Sequence, residues 1–294
     1  EVEALPAERT LAAAGGLRAV MARAEDIPNV LLEIGRLRER TFRAVGEGTG
    51  AERDLDGFDR TYRHLFVWDD ARRRVIGAYR LGLTDELCAD GRPEGLYTAT
   101  LFRYRPEQMR LLVPGIELGR SFVRAEAQKG YAPLLLLWQG IGRFVAENPK
   151  YRLLFGTASI SDTYPSLTRK LLVRFLTATC GPGEFARLAE PTSPPRFARG
   201  RERETELACR TIGSVEEADA LVASIDPHGR GIPVLLRQYL GLGARLIGFN
   251  VDAAFGNALD GLIVVDLTRA PRRLVSRYMG AARYEAYLRH HGVR

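Results

Sequence analysis

The sequence predicts an α/β fold built around a central sheet, and three observations support this fold class. Two β-rich runs, 64–68 and 74–82, are joined by a short polar link, which favours an antiparallel hairpin. A further extended run, 114–123, is followed by an apolar helical pattern at 133–147. By length the chain could form one large domain or two smaller ones, and we expect a single domain over residues 1–294.

The first part of the chain leads from a strand through a helix to a loop. Residues 16–24 form a candidate first strand. Asp26 and Pro28 predict the start of a helix, as its cap and as a residue of its first turn. Apolar residues then recur at helical spacing until about Ala44. The Gly-rich and Asp-rich segment 45–59 predicts a loop.

The middle of the chain contains the less regular segments. Residues 85–108 lack a clear period, and we expect 95–98 to be partly extended. A strand at 152–160 is followed by a basic amphipathic helix at 164–179. The segment 181–203 is rich in Pro, Gly and Arg, and it therefore predicts a mobile insertion.

The last part of the chain predicts two short helices, two strands and a helical tail. The helices, 215–224 and 234–242, are separated by a Pro-Gly break. Short apolar runs at 244–249 and 261–267 predict the closing strands. Residues 271–294 are expected to form the C-terminal helical tail.

Composition excludes several classes of protein. No apolar run has the length that a membrane span requires. Cys88, Cys180 and Cys209 are odd in number and widely spaced, which argues against a disulfide framework and against structural zinc. The net charge of +7 indicates either a solvated basic surface or an acidic partner. We expect a cytoplasmic protein, with peripheral contact to the inner membrane left open, and no nucleic-acid partner.

The stretch 114–124 carries the most informative pair of residues. It places Glu117 and Arg120 inside an apolar segment, where ionisable groups are costly unless they are paired or used in chemistry. Three residues apart on a regular strand, they face opposite sides, so a direct bond requires a bulge. Separate ion pairs with neighbours such as Arg80 are the structural alternative.

Other chemical motifs are weak or absent. His64 and Asp69 match the His-x4-Asp spacing of glycerolipid acyltransferases, but on a strand this spacing places them on opposite faces. An O-acyltransferase that uses this pair therefore stays only as an alternative. The sequence has no phosphate-binding glycine loop and no Gly-x-Ser-x-Gly elbow, and the spacing of its four His residues predicts no metal site. The turn 128–132 precedes a helix and is a candidate anion site.

The order of these elements resembles the Gcn5-related N-acyltransferase (GNAT) fold, and the motifs add to the resemblance. They are most similar to those of the ornithine-lipid and N-acyl amino acid synthases and of the acyl-homoserine-lactone synthases. The matching positions are Arg38-x3-Phe42, Asp56-x2-Asp59, Arg80 and Glu117-x2-Arg120. The turn 128–132 resembles the family's pyrophosphate loop, Gln/Arg-x-x-Gly-x-Gly/Ala, but is one residue shorter.

The resemblance implies a mixed, mostly antiparallel sheet flanked by helices, with splayed central strands. It also implies transfer of a fatty acyl group from acyl carrier protein, on its 4′-phosphopantetheine, or from acyl-CoA. The acceptor would be the amino group of an amino acid or another amine. No tightly bound cofactor and no metal are expected. A shortened pyrophosphate loop favours the carrier protein as donor.

The resemblance also assigns expected roles to residues. Glu117 is the candidate base or orienting group, and Arg120 is its catalytic companion. Arg38, Arg80 and Arg120 are candidates to bind an acceptor carboxylate, because a planar guanidinium matches its geometry. The expected substrate-binding residues are Arg38, Phe42, Asp56, Asp59 and Arg80. The expected donor-binding residues are Ser121, Phe122, Val123, Gln128, Lys129 and Gly130, with backbone N–H groups of 121–123 stabilising the oxyanion.

Two further expectations concern the donor. A group of basic residues would attract an acidic carrier protein: Arg124, Lys129, Arg143, Arg169, Lys170 and Arg174. A set of apolar residues would line the acyl chain unless they only pack in the core: Phe42, Phe122, Leu136 and Trp138. A non-catalytic domain of the same fold that binds acyl carriers or membranes is the remaining alternative.

Overall fold

The protein is built on one large sheet and a small two-stranded sheet. The computed structural model describes residues 1–88, 90–198, 200, 206–207, 209 and 212–293. The strands are β1 (Thr10–Ala14), β2 (Leu17–Ala22), β3 (Arg63–Asp69), β4 (Arg74–Leu83), β5 (Phe102–Tyr104), β6 (Gly115–Val123), β7 (Leu153–Ile160), β8 (Ala189–Pro191), β9 (Arg245–Asp252) and β10 (Ala258–Asp266).

The large sheet has the strand order β1-β2-β3-β4-β6-β7-β10-β9. The pair β6–β7 is parallel, and the neighbouring strands otherwise pair antiparallel. Strands β5 and β8 form the small antiparallel sheet. The prediction of a mixed, mostly antiparallel sheet flanked by helices is therefore confirmed.

The helices lie on both faces of the large sheet. They are α1 (Pro28–Arg43), α2 (Thr84–Leu87), α3 (Pro106–Met109), α4 (Ala132–Glu147), α5 (Ser166–Thr179), α6 (Val215–Ile225), α7 (Val234–Gly241), α8 (Arg272–Met279) and α9 (Ala281–His290). Helices α8 and α9 fall in the predicted C-terminal tail and bury Tyr278, Tyr284 and Tyr287. Among the described residues, no helix combines the length and apolar content needed to cross a bilayer.

Alternating side chains divide the apolar core between the two faces of the sheet. Leu65 and Val67 of β3 belong to a large cluster with α4, while Phe66 between them packs on the other face with α1. The α1 face carries two separate apolar clusters, one around Phe66 and one around Phe155. Glu117 lies between Ile116 and Leu118 of the large cluster and so points to the α1 face.

The parallel strands β6 and β7 separate after a short contact. Their pairing covers only 115–117 against 153–155, although both strands continue for several residues. Two backbone features accompany the separation. Gly156 has φ +153°, and Arg120 adopts φ +50° in the left-handed region. The expected splay of the central strands is therefore present, and it leaves one edge of β6 without a strand partner beyond Glu117.

Several predictions about local structure are wrong. Strand β1 was not expected, and residues 95–98 lie mainly in two 3-10 turns, with extended backbone only at Leu96. Asp26 does not cap α1: Ile27 occupies the N-cap position, and the Glu1 carboxylate accepts hydrogen bonds from the N–H groups of Asn29 (2.9 Å) and Val30 (2.8 Å).

Part of the predicted insertion, 181–203, packs against the apolar core. Phe185 and Leu188 are 4% and 0% exposed, and they pack in the cluster around Phe155. Strand β8 pairs with β5, and the Asn250 side chain accepts a hydrogen bond from the Ser193 N–H. A few apolar residues in a Pro-rich segment are enough to anchor it. Residues 199 and 201–203 of the predicted insertion lie outside the described part of the chain.

The splay generates a prediction about Gly156. A Cβ atom at this position would lie 2.0 Å from the Leu118 carbonyl oxygen of β6. We expect Gly156→Ala to lower the free energy of unfolding by about 3 kcal/mol, because both the backbone conformation and the close approach favour glycine. Urea denaturation followed by circular dichroism measures this change.

Gly248→Ala is the matched control, since Gly248 also lies in a strand. Its added Cβ would meet only an ordinary contact, 3.7 Å from Pro191 Cδ. We expect this variant to unfold at nearly the wild-type urea concentration. Equal stability of the two variants would contradict the proposed role of Gly156 in the splay.

Candidate active site

Helix α1 carries a buried arginine toward the middle of the sheet. Arg38 follows the buried Ile34 by one helical turn and is 1% exposed. Its Nε and Nη2 atoms donate to the Asp54 carbonyl at 3.1 and 2.5 Å. Nη2 also donates to both Asp59 carboxylate oxygens at 2.9 Å. Arg38 is therefore a buried and fully paired residue rather than an exposed residue of the helix surface.

The loop after α1 is folded around its own carboxylates. The Phe58 N–H donates to Asp56 Oδ1 at 2.9 Å, and the Asp56 N–H donates to Asp59 Oδ2 at 2.8 Å. This reciprocal capping box forms a short 3-10 turn, Gly57–Arg60. The turn fixes the Asp59 carboxylate at the place that the Arg38 guanidinium reaches.

Two strand arginines complete a buried network of three guanidiniums and three carboxylates. Arg80 of β4 is 1% exposed, and its Nη1 lies 2.6 Å from Asp56 and 3.3 Å from Asp59. Arg120 Nε of β6 lies 3.1 Å from Asp54 Oδ2, and its Nη2 lies 3.7 Å from Asp56. We call these six residues the Arg/Asp network: Arg38, Arg80, Arg120, Asp54, Asp56 and Asp59.

Mutual attraction offsets the burial of these charges. Burial alone would raise the pKa of Asp59, but the charges of Arg38 and Arg80 outweigh it and hold this pKa below its ordinary value. For Asp54 burial prevails, and its pKa is raised. The network is therefore stable only as a unit, since removing one partner leaves an uncompensated buried charge.

Glu117 does not bond to Arg120 but anchors a neighbouring turn. Its carboxylate accepts hydrogen bonds from the Tyr62 hydroxyl, the Tyr97 N–H (3.1 Å) and the Thr98 N–H (2.7 Å). Glu117 is 2% exposed, and burial raises its pKa. The alternative of a direct ion pair between Glu117 and Arg120 is thus not realised.

Tyr97 connects the two groups. Its N–H bonds to Glu117, while its hydroxyl accepts from Arg120 Nη1 at 3.2 Å and donates to Asp252 at 3.4 Å. The Arg120 guanidinium also stacks between the Tyr97 and Phe255 rings, 4.6 and 4.8 Å from their centroids. Phe255 in turn contacts Phe42 edge to face at 5.3 Å. Sequence motifs on α1, β4 and β6 therefore converge on one site.

The His64–Asp69 pair has no catalytic geometry. His64 Nε2 lies 2.8 Å from the Asp59 carbonyl oxygen, and burial lowers the pKa of this imidazole. Asp69 lies at the other end of β3 and accepts from the Arg72 N–H at 3.0 Å. His64 thus supports the loop of the Arg/Asp network.

The expected donor-binding residues lie at the end of β6 and in the turn after it. Ser121 and Val123 are half-buried, while Gln128, Lys129 and Gly130 are exposed. The Gln128 side chain donates to the Val123 carbonyl at 2.7 Å. This bond ties the turn to the splayed strand.

The four expected acyl-chain residues do not share one channel. Phe42 and Phe122 pack on the α1 face, whereas Leu136 and Trp138 are buried in the cluster on the opposite face. Three of the six expected basic residues already have ion pairs, Arg124 with Glu126, Arg143 with Glu147 and Arg169 with Asp162. Lys170 is buried and donates to the Ala198 and Gly200 carbonyls. A surface patch that includes Lys170 is therefore wrong.

Comparisons with known proteins identify the family of this site. A family model described as an acetyltransferase (GNAT) domain matches residues 37–139. The chain is 32% identical over 255 residues to a glycine N(alpha)-acyltransferase of Phocaeicola vulgatus, covering 82% of this chain and 77% of the relative. The chain belongs to the GNAT family of acyltransferases. Other relatives of this GNAT chain carry similar names, and we conclude that it is an N-acyltransferase.

Two further relatives and two solved structures are also similar to this chain. An L-ornithine N(alpha)-acyltransferase of Agrobacterium fabrum is 28% identical over 84% of this chain and 78% of its own length. An L-ornithine N(alpha)-acyltransferase of Brucella abortus is 27% identical over 93% of this chain and 96% of its own length. The solved structure of a CoA-dependent acyl-homoserine lactone synthase aligns with a TM-score of 0.40 and 11% identity, covering 93% of this chain and 95% of that chain. The solved structure of an N-acyl amino acid synthase from uncultured soil microbes aligns with a TM-score of 0.39 and 9% identity, covering 87% of this chain and 93% of that chain. Alignments this loose give no correspondence between residues.

Sequence reasoning missed several residues of the site. Asp54 stands in the same acidic loop as Asp56, so the run of acids was a usable signal. Tyr62 and Tyr97 bond to Glu117 but belong to no motif, and nothing local distinguishes them from core tyrosines. Asp252 and Phe255 reach the site from the β9–β10 turn, which lies far away along the chain.

The Arg/Asp network generates a prediction about Asp59. We expect Asp59→Asn to lower the free energy of unfolding at pH 7 by about 3 to 5 kcal/mol, because Arg38 and Arg80 lose a buried partner. Asp70→Asn, which breaks an exposed pair with Arg18, is the control and should cost under about 1 kcal/mol. Urea denaturation measures both values.

The same variant has a predicted pH dependence. The pKa of Asp59 is lowered on folding from its ordinary value of 3.8, so its stabilisation is complete above that pH and is lost as the pH falls through the folded value. The stability difference between wild type and Asp59→Asn should therefore shrink below about pH 4. A difference that is constant from pH 7 to pH 3 would show that the network is not held by the Asp59 charge.

Proposed function

We propose that this N-acyltransferase moves a fatty acyl group from a thioester, on acyl carrier protein or coenzyme A, to the α-amino group of an amino acid. One observation carries this proposal: the open edge of β6 lies directly beside the Arg/Asp network. A thioester and a charged acceptor can thus meet at one place. The names of the relatives, which specify glycine and L-ornithine as acceptors, support an amino acid.

The open edge of β6 supplies donors for the oxyanion that forms when an amine attacks a thioester. The Arg124 N–H bonds to the Ile76 carbonyl of β4 at 2.9 Å. Backbone N–H groups alternate in direction along a regular strand, so the Val123 N–H points away from β4, into the splay, while Ser121 directly follows the left-handed Arg120. Preorganised N–H groups of this kind stabilise negative charge on a thioester oxygen.

The amine attacks the thioester directly in this proposal. The thiol of Cys88 lies near Glu117, but it is 2% exposed and burial raises its pKa to about 12. It therefore holds too little thiolate at neutral pH to serve as a nucleophile. No step requires a covalent acyl-enzyme.

The three arginines have different parts in this proposal. Arg38 and Arg80 are 1% exposed and hold the loop 54–59 against the sheet. The Arg120 side chain is 11% exposed and is the most accessible of the three. We assign the acceptor carboxylate to Arg120, with its guanidinium held in place by Asp54 and the Tyr97 ring.

Glu117 acts in this proposal by positioning its neighbours. Three donors already occupy its carboxylate, so an acceptor amine would have to displace one of them to reach it. Through these bonds Glu117 fixes the turn that carries Tyr97, and hence the orientation of Arg120. The turn 128–130, beside the N-terminus of α4, is the proposed contact for the donor's phosphate.

An acylation assay tests the function. Purified protein, incubated with a long-chain acyl thioester on acyl carrier protein or coenzyme A and with glycine or L-ornithine, is expected to yield N-acyl amino acid by mass spectrometry. Glu117→Gln should reduce kcat/KM at least about 100-fold, because a misplaced catalytic site loses rate steeply. Hydrogen bonds that hold Tyr97 are lost in this variant.

Asp69→Asn is the control in the same assay, since Asp69 lies outside the site. It should retain wild-type activity, whereas an O-acyltransferase that depends on His64 and Asp69 would lose it. Absence of N-acyl product from the folded wild-type protein with both donors and both acceptors would refute the proposed function.

A further inference from the structure

A second group of buried carboxyls lies beside the Arg/Asp network. Glu47 comes from the loop after α1, Asp252 from the end of β9, and Asp260 from near the start of β10. They are 7%, 6% and 5% exposed. We call these three residues the acidic trio. None of them belongs to a motif in the sequence.

The acidic trio differs from the Arg/Asp network in having no cations of its own. The Ser159 hydroxyl donates to Glu47 at 2.8 Å, and the Tyr97 hydroxyl and the Ala254 N–H donate to Asp252 at 3.4 and 3.0 Å. Within the described residues, Asp260 has no hydrogen bond, and no member of the trio has an ion pair. Asp260 is only 5% exposed as a residue, so a carboxyl without a hydrogen-bond partner at this position requires an explanation.

The position of Asp260 places the trio at the splay. Asp260 pairs in register with Ser159 of β7 and Asn250 of β9, on the face of the sheet that Glu117 shares. Ser159 lies on the part of β7 that has left β6. Asp260 therefore lies on the α1 face of the sheet, on the β7 side of the splay, and the Ser159 hydroxyl connects this position to Glu47.

Negative charge outweighs positive charge in the surroundings of Asp260. Burial raises its pKa well above the ordinary value, and the neighbouring Asp252 and Glu47 raise it further, while Arg120 on β6 opposes them. The Tyr97 hydroxyl is the other titratable group within reach. Burial also raises the pKa of Glu47 to about 7. A cation placed among the three carboxyls would be strongly stabilised.

We propose that the acidic trio binds the ammonium group of the acceptor amino acid and that Asp260 removes the proton that keeps this amine from attacking. Metal binding is a poorer explanation, because no group of three such side chains in the described part of the chain is arranged to hold a metal ion. This inference rests on the proposed function and adds to it the residue that activates the amine.

The proton balance of this step is complete. The bound ammonium carries three N–H protons. One passes to the Asp260 carboxylate, which leaves a neutral amine whose lone pair forms the new C–N bond. As the C–S bond breaks, a second proton goes to the departing thiolate, and the third stays on the amide. Asp260 then returns its proton to water, so the carboxylate is regenerated.

A comparison of two nucleophiles tests the assignment. Glycine arrives as an ammonium ion, whereas hydroxylamine is mainly uncharged at neutral pH and needs neither the trio nor a base. We expect Asp260→Asn to lower kcat/KM for glycine about 100-fold or more. Enzyme-dependent acyl hydroxamate formation with the same thioester, after subtraction of the reaction without enzyme, should stay within about threefold of wild type, since the oxyanion donors are intact.

The pH profile gives a second readout. Without Asp260 the enzyme depends on amine that has already lost its proton in solution. The rate of the variant with glycine should therefore rise about tenfold per pH unit below the pKa of the amine and approach the wild-type rate at high pH. Glu47→Gln should show the same preference for hydroxylamine, and it provides the test if Asp260→Asn does not fold.

Asp85→Asn is the control, because Asp85 pairs with Lys150 away from the site. It should leave both reactions unchanged. If folded Asp260→Asn or Glu47→Gln loses activity with both nucleophiles equally, or keeps full activity with both, the inference is overturned while the proposed function stands. If the wild-type protein forms hydroxamate but acylates neither glycine nor L-ornithine, the proposed function fails and the inference fails with it.

Discussion

The pairing of three guanidiniums with three carboxylates, four of the six groups fully buried, is the constraint on which the rest of the structure depends. Charges removed from water must be paired and hydrogen-bonded, and here the partners come from different parts of the chain. Arg38 comes from α1, Asp54 and Asp59 from the loop, and Arg80 and Arg120 from neighbouring strands. The network therefore fixes the position of α1 and its loop on the sheet. Apolar packing alone would specify this position less precisely.

The Arg/Asp network lies next to the splay, where strands β6 and β7 separate. A continuous parallel ladder between β6 and β7 would occupy the backbone groups of both strands. Gly156 permits a close approach to the Leu118 carbonyl where the two strands begin to diverge, and Arg120 adopts a left-handed conformation with its guanidinium bonded to Tyr97. In the proposed reaction, the charges of the network hold the acceptor while backbone N–H groups of β6 stabilise the oxyanion.

Periodicity and motifs predicted the sheet, its main helices and the central strand with Glu117 and Arg120. Local pattern failed where tertiary contacts decide the structure. The first turn of α1 is capped by the Glu1 side chain and not by Asp26. The Pro-rich segment near Phe185 packs against the core through a few buried apolar residues, which its composition does not reveal. The three arginines of the Arg/Asp network lie on regular elements and were among the residues that motifs singled out. Tyr97 and Asp260 were not, because they come close to the network only when distant turns and strands meet.

A structure of the protein with a bound N-acylglycine would test the central claim most directly. Its amide oxygen is expected within about 3 Å of the Ser121 or Val123 N–H, with its nitrogen facing Asp260 and its carboxylate on Arg120. The acyl chain would leave along the open edge of β6. A product bound on the opposite face of the sheet, near Trp138, would contradict the claim that the splay and the Arg/Asp network together form the active site.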